Sequence, residues 1–324
     1  MRSATLGPFG AVSRLTIGGG GIGQAWGETT REEAIATLRG ATDAGITLID
    51  TAPMYLNCEA VVGETYGGRL PDGVRITSKH RLGTPPADMV APRLTASVEA
   101  SLTAMRLDHI DLFFLHTNIC EDDYAFAVRP DRQDVFATRW SVYAGAFIPA
   151  MEALKAAGKI GHWGITGTGV PPTIIKALGH AQRPAAVQAI TNLLDSAGGM
   201  KNYAEPEQPR AIIQAAVEHG VGVMGIRAVQ AGALTGAIDR NLPPEQAEAR
   251  DFARAASWRE LCRELGEDPA ILAHRYALSM SGVDTVILGV KNRVELQQCL
   301  EAEAAGGLDP ALMARIDGLG LRAT

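Results

Sequence analysis

The 324-residue sequence predicts a (β/α)8, or TIM, barrel with one long insertion after the fourth strand. Three observations point there. Short aliphatic or β-branched runs alternate with Ala-, Leu- and Glu-rich stretches along the whole length, the pattern of βαβ units. Several runs are apolar on both faces, as a parallel sheet covered by helices requires. The count of runs closes at eight, within a length that suits one barrel domain spanning 1–324.

The strands in order are RLTI (14–17), ITLID (46–50), VRITSK (74–79), HIDLFFLH (109–116), KIGHWGIT (159–166), AAVQAI (185–190), VGVMGI (221–226) and DTVILG (284–289). Helical patterns lie at about 31–44, 91–105, 147–157, 171–179, 207–219, 268–280 and 292–303. Gly45, Gly158 and Gly220 stand where a helix must stop before the next strand, and each suits a left-handed cap. The competing architecture, an open doubly wound sheet with a second domain, wants a glycine-rich turn between the first strand and its helix. Gly18–Gly23 loosely fits that string, but QAWGETT intervenes before the helix.

Two stretches break the alternation. Residues 117–146 exceed an ordinary βα connection and carry Tyr124, Phe126, Phe136, Trp140 and Tyr143, whereas a disordered linker is poor in aromatics. Residues 227–266 form the second break, with an extra helix expected over 245–265.

Composition excludes several classes. Hydrophobic residues make up 46% and charged residues 20%, which is globular. A net charge of −6 gives no electrostatic footprint for nucleic acid. No run of about 20 apolar residues or secretory h-region is present, so no membrane partner and a cytoplasmic location are expected. The four cysteines, Cys58, Cys120, Cys262 and Cys299, lack zinc or disulfide-scaffold spacing. No metal site is expected, and oligomeric state is not legible.

In such a barrel, chemistry gathers at the C-terminal ends of the strands. That rule selects Asp50, Lys79 and His116 at the ends of strands two, three and four, with Tyr55 in the loop after strand two. A free phenol, with a pKa near 10, exchanges protons poorly at neutral pH. A nearby ammonium favours phenolate, and a carboxylate keeps that ammonium charged and in place. A histidine within reach orients a carbonyl. The four make a proton relay, with Tyr55 as general acid in one direction and base in the other. None can deliver hydride, so reduction requires a nicotinamide or similar cofactor.

The segment GITLIDTAPMYLNCEAVVGE (45–64) resembles the G-x-x-x-x-D-T-A-x-x-Y-x-x-x-E-x-x-x-G signature of the aldo-keto reductases, and ITSKH and DLFFLHT resemble that family's lysine and histidine strands, in the same order. The resemblance runs from the glycine run to VKNRVELQQC. It implies an NAD(P)-dependent oxidoreductase acting on an aldehyde, ketone or aldose, with Tyr55 as proton donor, Lys79 and Asp50 as its tuning pair, and His116 orienting the carbonyl. For the cofactor it implies Gly20 in the glycine run; Thr166 and Gly167 where the family has a Ser-Asn pair; and Gln188 as the amide-binding glutamine. Thr166 lies in a Gly164–Gly167 segment resembling the sugar-dehydrogenase branch, galactose dehydrogenases included. After strand seven, Arg227, Gly232, Leu234 and Gly236 follow the family's phosphate segment, although its stacking aromatic is missing. After strand eight come Gly289, Lys291, Arg293 and Glu295. The two cations favour NADP, and Glu295 speaks for NAD.

No long C-terminal substrate loop is expected, so specificity falls to 117–146 and to Trp26. Trp26, Tyr124 and Trp140 are the candidate substrate residues, and Arg129, Arg132 and Arg139 could meet polar or anionic groups. Two other readings stay open: a cofactor-binding sensor or interaction subunit with little turnover, and a metal-dependent hydrolase on the same fold. For the latter, only His116 and Asp50 among the strand ends qualify as ligands.

Overall fold

The computed structural model describes residues 1–238 and 240–322. Among the described residues twelve strands form: β1 (Ser3–Thr5), β2 (Ala11–Ser13), β3 (Leu15–Gly18), β4 (Leu48–Asp50), β5 (Arg75–His80), β6 (Ile110–Leu115), β7 (Asn118–Cys120), β8 (Ala137–Arg139), β9 (Ile160–Thr166), β10 (Ala186–Ile190), β11 (Gly222–Ile226) and β12 (Thr285–Leu288). Eight of them close a barrel in the order β3-β4-β5-β6-β9-β10-β11-β12, with β12 returning to β3 and every pairing parallel. These are the eight predicted strands. The closed sheet excludes the doubly wound alternative, and Gly19–Ile22 form one helical turn after β3 rather than opening the long helix at Arg31–Asp43.

Strand side chains alternate between the two faces with period two. Ile17, Ile49, Ile76, Phe113, Ile165, Val187 and Val223 face outward into one core shared with the helices. Leu48, Leu112, Phe114, Ala186 and Met224 face inward and form a second core. Gly164 makes room for it: a Cβ there would lie 2.4 Å from the Phe114 ring. The antiparallel β1–β2 hairpin, absent from the predicted elements, adds Leu6, Phe9 and Val12 to the inward core at the N-terminal end. The barrel is therefore filled from below, with the Thr16–Thr285 hydroxyl pair among these apolar residues, and its inward Asp50 and Lys79 lie at the other end.

Gly45, Gly158 and Gly220 all adopt positive φ. The helix at Cys58–Tyr66 is one the sequence pattern does not mark; Gly63 in its middle lets it approach the helix Ala87–Met105, since a Cβ would sit 2.5 Å from the Ala104 carbonyl. The expected helix at 245–265 is two helices, Ala247–Arg254 and Ala256–Leu265. The insertion is ordered: β7 pairs with β8, and Cys120, Phe126, Ala137, Val170 and Tyr203 bury one another. Among the described residues no helix is long and apolar enough to cross a membrane.

Leu6 is fully buried beneath the barrel. Leu6→Ala is expected to cost about 2–5 kcal/mol, read as a lowered urea midpoint at unchanged slope; an unchanged midpoint would show that the hairpin contributes nothing to closure.

Candidate active site

The inward row that carries Leu48, Leu112, Phe114 and Ala186 lower in the barrel turns polar at its upper rim. Asp50 stands two residues after Leu48, Lys79 two after Thr77, His116 two after Phe114, Gln188 two after Ala186 and Thr166 two after Gly164. Lys79 is wholly buried, and its Nζ lies 2.5 Å from Asp50 Oδ2. The same ammonium donates to the Thr51 carbonyl at 2.8 Å. Asp50 Oδ1 accepts from Thr77 Oγ1 and from Gln188 Nε2, each at 2.7 Å. Two of these donors, Thr77 and Lys79, come from the adjacent strand β5, and Gln188 reaches across the barrel from β10.

Tyr55 ends a short 3-10 turn, Pro53–Tyr55, and the next residue, Leu56, is held at φ +52°. The Lys79 ammonium lies 4.7 Å from the centre of the Tyr55 ring. His116 meets that ring edge-on at 5.9 Å, and Trp26 meets it at 5.4 Å. The four relay residues therefore converge on one point of the mouth, and Trp26 covers it from the solvent side, 56% exposed.

Burial sets the protonation states. It pushes the Tyr55 phenol well above its usual range, and Asp50 and Cys58 add to the effect. The expected lowering by Lys79 is not what the geometry gives, because that ammonium is already spent on Asp50 and Thr51. Burial likewise lowers Lys79, against the pull of Asp50. His116 falls well below its ordinary value through burial, then through repulsion from Lys79, Arg81 and His80. At neutral pH the site presents a neutral phenol and a neutral imidazole, a proton donor beside a hydrogen-bond donor.

Residues that the sequence reading left without a role build this arrangement. Thr51 Oγ1 holds the Thr77 carbonyl at 2.6 Å. Glu59, buried, accepts from Ser78 Oγ at 2.6 Å and ties the helix after Tyr55 to the strand that carries Lys79. The glycine run is pressed against the tyrosine turn: a Cβ on Gly23 would fall 1.8 Å from the Tyr55 carbonyl, and one on Gly19 would fall 2.2 Å from Cys58 Sγ. Gly20 lies directly under Trp26, whose ring is 2.2 Å from where its Cβ would be. Its place in the fold is close packing. Thr77, two residues before Lys79 in the same inward row, is the partner of Asp50 that strand periodicity could have found.

Other candidates are scattered more widely. Thr166 Oγ1 bonds the Leu115 and Thr117 carbonyls at 3.3 and 3.2 Å, and the Gly167 N–H donates to the Gln188 carbonyl at 2.7 Å. Arg227 is taken by Glu248 and Gln230, each at 2.8 Å. They belong to a network with buried Asn192, Ser196 and Asp251 that lay outside the sequence reading. Leu234 is buried in the core, and its carbonyl accepts from Trp258 Nε1 at 3.1 Å. Gly232 is at φ +92°, and around Gly236 nothing lies within 4 Å of a Cβ. A Cβ on Gly289 would meet only Trp26, at 3.9 Å. Tyr124 donates to Glu205 at 2.5 Å. Trp140 is not brought to the mouth: it packs on Tyr143, His180 and the Lys176 ammonium, on the outer layer.

The end expected to meet the adenosine phosphate is closed by carboxylates. Arg293 is paired with Glu33 at 2.9 Å, and its N–H donates to the same carboxylate. Lys291 lies 3.4 Å from Glu295, which also accepts from the Lys291 N–H. Asn292 caps the helix by accepting from the Glu295 N–H at 2.9 Å. Both cations that favoured a 2′-phosphate are therefore partnered within the chain.

A model of the aldo/keto reductase family matches residues 14–320. The chain belongs to this family. L-galactose dehydrogenase of Arabidopsis thaliana is 22% identical over 95% of this chain and 90% of its own length. D-threo-aldose 1-dehydrogenase of a Pseudomonas species is 25% identical over 91% and 90%. In fold, the family member resembles the glycerol dehydrogenase of Gluconobacter oxydans (TM-score 0.71, 20% identity, 98% of this chain and 94% of that one). It also resembles an aldo-keto reductase of Bacillus halodurans in its holo form (TM-score 0.70, 22% identity, 98% and 96%). As a member it is an oxidoreductase, and the signature's Thr51, Glu59 and Gly63 acquire the structural tasks described above.

Because burial raises Tyr55 and lowers His116, both are expected to stay neutral from roughly pH 7 to pH 10 in the free protein. A phenolate difference spectrum of wild type against Tyr55→Phe should be flat over that range, and the His116 ring resonances should not move. A phenolate step near pH 8 would overturn the assignment.

Proposed function

We propose that the protein transfers hydride between a nicotinamide and the carbonyl of an aldehyde, ketone or aldose, with Tyr55 as the acid–base group. The observation that carries this reading is the convergence of Tyr55, Lys79 and His116 around a buried, fully bonded Asp50. Two relatives matched over nine-tenths of the chain are named as aldose or sugar dehydrogenases, which supports a polyhydroxylated or simple aldehyde substrate.

The cofactor residues fit the group in part. Gln188 and Thr166 offer polar atoms at the rim beside the relay, and the open backbone at Gly232 and Gly236 leaves room for a diphosphate. The nicotinamide supplies or takes up the hydride when bound. Tyr55 gives the proton to the carbonyl oxygen in reduction and recovers it from the alcohol in oxidation. His116, neutral, donates its N–H to that oxygen and fixes its position. Lys79 and Asp50 hold the phenol's surroundings in one geometry, and Trp26 shields the reacting carbon from water.

The paired cations support one form of the cofactor over the other. A 2′-phosphate at the 291–295 turn must displace Glu33 from Arg293 and Glu295 from Lys291, whereas a free ribose hydroxyl can donate to the carboxylates as they stand. NAD(H) is therefore the preferred form, in place of the NADP that two unpartnered cations would favour.

Tyr55→Phe is expected to lower turnover about 10²–10⁴-fold while cofactor still binds, measured by steady-state kinetics beside fluorescence titration of the cofactor; full activity in the variant would remove the acid–base assignment. By the same titration NADH should bind more tightly than NADPH, and Glu33→Gln should narrow the gap. Tighter NADPH binding by the wild type would reverse the cofactor reading.

A further inference from the structure

Arg81 follows Lys79 by two residues at the end of β5. Its guanidinium reaches within 3.8 Å of the Met54 sulfur, in the turn that presents Tyr55. On its other side stands Phe136 of the insertion, 5.0 Å from the guanidinium carbon to the ring centre. Arg132 and Arg129 approach the same ring, at 4.7 and 5.8 Å. The insertion is pinned against this strand end: the Thr84 N–H donates to the Asp134 carbonyl at 2.8 Å, and Thr138 Oγ1 donates to the Gly83 carbonyl at 2.8 Å. Three cations of one sign are thus gathered at one corner of the mouth by backbone contacts.

None of the three has a carboxylate within ion-pairing distance among the described residues. Arg129 has only neutral oxygens, those of Gly199 at 3.3 Å and Asn202 at 3.2 Å. Arg139, the remaining arginine of the insertion, is neutralised by Asp134 at 3.2 Å. A single aromatic ring compensates exposed guanidinium groups weakly, and Asp131, in the same turn as Arg132, offsets one charge of the three, so the corner keeps a net positive field. That field reaches the relay, since Arg81 is one of the groups that hold His116 neutral.

We infer that Arg81, Arg129 and Arg132, arranged around Phe136, bind an anionic group, a carboxylate or a phosphate, carried by the carbonyl substrate. Planar guanidinium forks match both groups through paired hydrogen bonds. Phe136 lies between the cations and offers an apolar wall to the carbon skeleton joining the anion to the carbonyl. The inference rests on the oxidoreductase reading above and names the substrate class for the same site.

The test compares matched aldehydes with NADH: 4-carboxybenzaldehyde against its methyl ester, and glyceraldehyde 3-phosphate against glyceraldehyde. Wild type and an Arg81→Gln, Arg129→Gln, Arg132→Gln variant are assayed together. At least one anionic member should exceed its neutral partner in kcat/KM by about 10- to 100-fold, and the pair that does so distinguishes carboxylate from phosphate. That ratio should collapse toward one in the variant, and shrink in the wild type as salt rises from about 20 to 300 mM. A wild-type ratio near one for both pairs, or a ratio unchanged in the variant, overturns the anion site and leaves the oxidoreductase reading standing. If no aldehyde turns over, binding of 4-carboxybenzaldehyde and of glyceraldehyde 3-phosphate with NADH present, followed through Trp26 fluorescence, decides separately. At least tenfold weaker binding of either in the variant supports the anion site while the oxidoreductase reading falls, and equal binding of both overturns the site.

Discussion

The mouth of this barrel depends on the ion pair between Asp50 and Lys79. Both charges are removed from water, a cost that mutual attraction offsets only when the remaining hydrogen-bonding capacity is also filled. Here it is filled by Thr77, Gln188 and the Thr51 carbonyl, so one carboxylate and one ammonium lock together β4, β5, β10 and the tyrosine turn. The relay inherits its rigidity from that arrangement. It also inherits its protonation, for an ammonium committed to Asp50 has little left with which to stabilise a phenolate.

Close packing does the rest of the positioning. The tyrosine turn is wedged between a glycine run on one side and a helix on the other, and each contact admits no side chain: Gly23 against Tyr55, Gly19 against Cys58, Gly63 against the helix at 87–105. Glu59 completes the wedge through Ser78. The family signature is therefore largely a description of how tightly one turn is held, with Tyr55 the member we propose as the acid–base group.

Charge is distributed around the rim by the same logic. At the 291–295 turn, cations are matched by Glu33 and Glu295, and the end of the helix is already capped. At the corner of the insertion, three guanidinium groups share one phenylalanine and, among the described residues, no ion-paired carboxylate. We propose the first surface for an uncharged ribose edge and the second for an anion. Both preferences come from which acidic residues the fold brings within reach, and neither follows from counting cations along the chain.

The barrel, its eight strands and the meeting of Asp50, Tyr55, Lys79 and His116 at the mouth were legible in the sequence because they are periodic or local. Strand alternation and the rule that function gathers at strand ends need no knowledge of distant contacts. The β1–β2 hairpin escaped because three-residue strands leave no period to read. The helix at Cys58–Tyr66 escaped because its centre is a glycine that only the neighbouring helix explains. Trp140 looks like a pocket residue by its place in an aromatic insertion, yet Lys176 and His180, far along the chain, draw it outward. The sequence by itself determined that Asp50, Tyr55, Lys79 and His116 reach the mouth; whether each arrives charged, neutral, paired or free was decided only by the tertiary structure, because burial and the nearest opposite charge are properties of residues far apart in the chain.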